Sequence, residues 1–174
     1  GLDAVHWARN LIAADRADTA VVVGVEPAGE AVAKLLGSEC VDAAAAVVLE
    51  SAEGAAARRA SARATVARYS RAHDLGTAIT RVRERADQPI GLWLLPEQTA
   101  EAPAGDGRAD AFFGTAVPRT LSLDWLGHSS GAHGVLQCAA SVAYLDAAGS
   151  GDALATTGGS AGGAAALLLT GAPA

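Results

Sequence analysis

Ser122-Leu123-Asp124-Trp125-Leu126-Gly127-His128-Ser129-Ser130-Gly131-Ala132-His133-Gly134 is the most informative stretch of this 174-residue chain. Gly127 marks a break, and Ser129 or Ser130 is an expected N-terminal cap for a helix that runs to about residue 147. Ala132, Leu136, Ala139, Val142 and Ala143 form its expected inner face. His128 stands between a glycine and the start of this helix, where an imidazole can reach out of the backbone into a pocket. A helix N-terminus favours the neutral ring, which can donate a hydrogen bond to a developing oxyanion. A capping or surface histidine is an equally open reading. His133 is expected to be a structural residue on the helix face.

Outward from this stretch, strands and helices alternate. Residues 2–15 have helical spacing at Val5, Ala8, Leu11 and Ile12, with Asp3 near the positive end. Thr19 to Val25 and Ala43 to Leu49 are continuous apolar runs, the pattern of strands buried on both faces. Between them, 28–36 reads as a helix closed by Gly37. Ala62 to Tyr69 alternates as a half-exposed strand, Leu75 to Ala86 as an amphipathic helix with an Arg-rich outer face, and Ile90 to Leu95 as a third buried strand. Pro96 to Gly107 is a loop, followed by a short helix near 108–113 and a short strand near 120–123. Ala153 to Thr157 and Ala164 to Thr170 form a terminal strand pair across a glycine-rich turn. Alternating elements with apolar strands predict an α/β fold with a mixed or parallel sheet and covered faces.

Composition narrows the function classes. The net charge is −6 and no basic stripe is present, so a nucleic-acid partner is not expected. No apolar run is long enough for a membrane span. Cys40 and Cys138 read as two buried thiols in a cytoplasmic protein, with a disulfide between them the less favoured alternative. His128 and His133 lie off a single helical face and no Cys/His cluster has zinc spacing, so no metal is expected. Gly158 to Gly163 lacks the dinucleotide-binding pattern, and no cofactor is expected. The sequence contains no Met, so it reads as trimmed at its start or as a downstream portion of a longer chain.

Four segments resemble β-ketoacyl synthases, in the family's order. Gly1-Leu2-Asp3-Ala4-Val5 with Val21-Val22-Val23-Gly24-Val25-Glu26 is similar to the helix and strand that follow the nucleophilic Cys. Asp42 to Glu50 resembles the next strand, Gly127 to Gly134 resembles the Gly-His-x-x-Gly-Ala-x-Gly segment, and Gly158 to Leu169 resembles the final turn and strand. The resemblance implies a thiolase-like layered fold. Residues 1–50 would be the tail of its first half and 51–174 its second half. It implies His128 as a catalytic position and Gly1, Gly127, Ser129 and Gly162 as substrate-binding positions. Other positions depart from the pattern. Pro96 stands where the family has a catalytic His and Leu123 where it has Lys, while the nucleophile position falls about three residues before Gly1. One imidazole without a thiolate cannot perform decarboxylative condensation. The expectation is therefore a subunit or fragment that works with a companion chain supplying the rest of the fold, in a hetero-oligomer, with an acyl carrier protein as a further partner. Any surviving activity would be acyl transfer without condensation. Two alternatives stand beside this reading: a non-catalytic partner resembling chain length factors, which shapes an acyl tunnel, and a structural module unrelated to acyl chemistry.

Overall fold

The computed structural model describes residues 1–37, 40–84, 86, 88–98, 109–148, 151–159 and 163–172. The order is α1 (Leu2–Ala13), β1 (Thr19–Glu26), α2 (Glu30–Leu36), β2 (Ala43–Glu50), α3 (Ala52–Ala57), β3 (Ala64–Ala72), α4 (Leu75–Arg83), β4 (Ile90–Leu94), α5 (Ala109–Phe113), β5 (Arg119–Leu121), α6 (Ser130–Ala148), β6 (Asp152–Gly159) and β7 (Gly163–Gly171). Local chemistry sets several boundaries. Ser51 accepts from Gly54 N at 3.0 Å to start α3, and Asp74 accepts from Thr77 N at 2.7 Å to start α4. Gly37 ends α2 at φ 68°, a left-handed conformation that costs glycine little.

Two sheets result. β1 and β2 pair antiparallel, from Thr19 opposite Glu50 to Glu26 opposite Ala43. The larger sheet has the order β3-β7-β6-β4-β5, in which β7 is antiparallel to both neighbours and β4 is parallel to β5 and β6. α1 and α6 lie between the two sheets, and α4 covers the far face of the larger one. Leu92, Leu94, Ala155, Leu167 and Leu169 face the central helices and join Leu2, Val5 and Val135. Trp93, Leu154 and Leu168 point the other way, onto Ile79, Val82 and Phe113. A strand with both faces covered alternates between two cores, so β4 and residues 164–169 of β7 read as continuous apolar runs.

The central helices meet backbone to backbone. A Cβ at Gly134 would stand 2.7 Å from Leu2 N and 3.0 Å from Gly1 Cα, and one at Gly24 would stand 2.9 Å from Ala132 Cα. Small residues let α1, α6 and β1 approach this closely. A polar lock ties α1 to β3. The Asp3 carboxylate accepts from the Tyr69 hydroxyl and from Arg71 Nη1, and His6 stacks on Tyr69 with ring centroids 4.1 Å apart. Burial and the Asp3 contact push the Tyr69 phenol up to about 12.

Three expectations need correction. The apolar positions expected on α1 are buried only in part: Val5 and Ala8 are buried with Leu2, but Leu11 is 46% exposed, as is the neighbouring Trp7 at 67%. β1 is not covered on both faces. Its inner face packs on the central helices, whereas Val21, Val23 and Val25, with Val48 of β2, are 58–65% exposed because no described layer lies over them. On α6 the buried residues include His133, Val135, Gln137, Cys138, Ser141 and Leu145, while Ala139 and Ala143 are exposed. Gln137 turns inward because the carbonyls of Leu95 and Thr156 accept from its amide.

The architecture repeats itself. α1, β1 and β2 are a helix followed by an antiparallel pair, and so are α6, β6 and β7. In the second unit, β4 and then β5 extend the β6 edge, β3 closes the β7 edge, and α4 covers the outer face. In the first unit no described strand extends either edge and no described helix covers the outer face.

Candidate functional site

The site forms where β4 ends and α6 begins. Gly127 adopts φ 92°, and a Cβ there would come within 2.5 Å of Val41 Cγ1, so the turn before His128 requires glycine. Val41 N donates to His128 O at 3.0 Å, and Cys40 forms an isolated bridge with His128. The segment after α2 is thereby pinned along the histidine. The His128 side chain is 35% exposed.

Carboxylates, not serine hydroxyls, cap α6. Glu97 Oε1 accepts from Ser129 N at 2.6 Å and from Ser130 N at 3.1 Å, and Glu26 Oε2 accepts from Gly131 N at 2.6 Å. Two carboxylates beat a hydroxyl here because the orphan amides and the helix dipole both favour negative charge. Glu97 Oε1 also lies 3.9 Å from His128 Nδ1 and 3.6 Å from His133 Nδ1.

Behind Glu97 runs a buried polar chain. Ser129 Oγ lies 3.3 Å from His133 Nδ1, and Gln137 Nε2 lies 3.2 Å from His133 Nε2. Gln137 Nε2 also donates to Leu95 O at 2.7 Å and Thr156 O at 2.9 Å. Thr156 Oγ1 donates to Leu94 O and accepts from Trp93 Nε1. The two carbonyls take both protons of the Gln137 amide nitrogen and fix its orientation, with His133 Nε2 packed 3.2 Å from that nitrogen. His133 is structural, as expected, and it also ties the site to the larger sheet.

Of the expected site residues, Gly127, His128 and Ser129 stand together, although Ser129 is fully buried. Gly1 packs on Gly134, about 6 Å of helical rise beyond Ser130. Gly162 lies outside the described residues. Sequence reasoning missed Glu97, Glu26, Cys40 and Gln137. For Glu97 a signal was available: it follows the C-terminal end of a central strand, where side chains of α/β sheets enter the crevice.

Electrostatics limits the chemistry. Burial pushes the Cys40 thiol up, and the Glu26 and Glu97 carboxylates add to this effect. Burial pushes Cys138 up to about 12. Neither thiol is an activated nucleophile. Glu97 Oε1 stands 3.9 Å from His128 Nδ1, so the carboxylate opposes negative charge placed beside that nitrogen. Among the described residues, no group of three or more Cys, His, Asp or Glu is placed to hold a metal ion. No described helix is long and apolar enough to cross a membrane.

An antiparallel strand pair and a five-stranded mixed sheet enclosing two central helices define a thiolase-like α/β fold. Solved structures sharing it include the ishigamide ketosynthase/chain length factor, with TM-score 0.75 and 20% identity over 98% of this chain and 58% of that one. An acyl-carrier protein complex with its type II PKS ketosynthase, bound to the hexaketide, gives TM-score 0.73 and 16% identity over 97% and 56%. A β-ketoacyl synthase from Burkholderia phymatum gives 0.70 and 16% over 99% and 59%. The chain thus spans a little over half the length of these relatives. No family model and no curated protein matches its sequence.

Proposed function

We propose that this chain is the non-condensing part of a β-ketoacyl-synthase-type assembly, in which residues 1–50 complete a first thiolase-like half and 51–174 form the second. The observation that carries the proposal is the unequal finish of the two repeated units. Among the described residues, the second has five strands and a covering helix, and the first has two strands with bare edges and a bare valine face. The companion segment, on the same polypeptide or another, supplies two parallel strands beside β1, one antiparallel strand beside β2, and an amphipathic helix over Val21, Val23, Val25 and Val48. Apolar edges and faces of this size are otherwise sites of aggregation.

Within this reading, Glu97 favours a partner resembling chain length factors over an acyltransferase. Its carboxylate lies beside His128, and neither described thiol is activated. His128 then shapes the pocket and carries no chemistry. An acyl carrier protein charged with a labelled acyl group, incubated with the native protein, tests this by intact mass spectrometry. The expected result is no acyl increment on any residue of this chain. A stoichiometric increment, on Cys40 or elsewhere, would restore the acyl-transfer reading.

A further inference from the structure

Glu97 is placed as a bound anion would be. Two helix amides and two imidazoles converge on its Oε1, at 2.6 and 3.1 Å for Ser129 N and Ser130 N, and 3.9 and 3.6 Å for His128 Nδ1 and His133 Nδ1. Its side chain is only 16% exposed. Glu26 consumes the next amide, that of Gly131. We propose that Glu97 is a built-in competitor that closes the space beside His128 to carboxylate-bearing groups, so that the site takes neutral acyl groups only. The acyl half of this statement rests on the function proposed above, whereas the competition rests on geometry alone.

The physical argument is one of displacement. An incoming carboxylate would need the amides that Glu97 holds, and taking them would leave the Glu97 carboxylate without those partners beside a second negative charge and near Glu26. A neutral acyl group needs none of these donors and displaces nothing. Specificity of this kind comes from a repulsive element and needs no new contact with the preferred ligand.

Malonate is the probe, followed through the Ser129 and Ser130 amide resonances of the native protein. Wild type should show no saturable shift at millimolar malonate. Glu97→Ala should bind it at least roughly tenfold more tightly, with shifts centred on those two amides. Glu97→Gln, which keeps an oxygen to accept from both amides and so protects the fold, should fall between the two. Wild type binding malonate as tightly as either folded variant would overturn the proposal. So would a folded Glu97→Ala protein whose two amides do not move, and Glu97→Gln decides the matter if the alanine variant fails to fold. A neutral butyryl thioester forms the second arm and should shift His128 in wild type. Its failure there, with the malonate arm as expected, would sink the acyl reading and leave Glu97 as an anion plug.

Discussion

Gly134→Ala should lower the melting temperature of the native protein by roughly 6–12 °C, the equivalent of about 3 kcal/mol in a chain of this size. The added methyl would stand 2.7 Å from Leu2 N, 3.0 Å from Gly1 Cα and 3.1 Å from Gly1 C. All three are backbone atoms, so no side chain can rotate away and α1 itself must shift. Overpacking costs typically about 1–3 kcal/mol, and a clash with a rigid partner falls at the upper end. The shift should also strain the lock at Asp3, because that carboxylate rides on α1 and its partners sit on β3. Gly171→Ala is the control: its Cβ would meet nothing within 4 Å, so the melt should barely change. Equal melting of the two variants would show that α1 and α6 do not cross at these glycines.

The second large effect is expected at a position that is exposed in this chain. Val23 is 59% exposed at the middle of β1, so Val23→Glu should cost little if that face meets water in the native protein. If the face is covered by a companion helix, the same change places a charge in an apolar layer. The cost is then several kcal/mol, on the order of 3 or more. We expect the second outcome, read as a loss of native-protein stability or of assembly. Val117→Glu, at a 44% exposed valine just before β5, should be nearly silent. A Val23→Glu protein as stable and as fully assembled as Val117→Glu would contradict the covered-face account.

How much of this was legible in the sequence varies with the range of the forces involved. β4 and β7 were legible because both faces of each strand are mostly apolar, and burial on both faces is what the structure supplies. The same pattern in β1 was read the same way, yet Val21, Val23 and Val25 are bare in this chain. The run records the surroundings that suit the strand, which the companion segment proposed above would supply. The inner face of α6 was misread for a different reason. His133, Gln137 and Ser141 are polar, and periodicity sends polar residues outward. The carbonyls of Leu95 and Thr156 that hold Gln137 inside are distant in sequence, so no local pattern shows them. At the site, Gly127 and His128 were visible through the helix start. Glu97 was not, because the stretch after Pro96 reads as a surface loop until β4 and α6 bring it to the helix amides.

The central claim is that β1 and β2 belong to a larger sheet in the native molecule. Hydrogen exchange of the native protein tests it most directly, because β6 and β7 provide an internal standard. Both edges of that pair are taken, by β4 and β3, so its amides should exchange only through global opening. If companion strands flank β1 and β2, amides throughout Thr19–Glu26 and Ala43–Glu50 should be protected to the same degree as those of β6 and β7. If alternate amides of β1 and β2 exchange freely while β6 and β7 stay protected, the two strands end the sheet and the account is wrong.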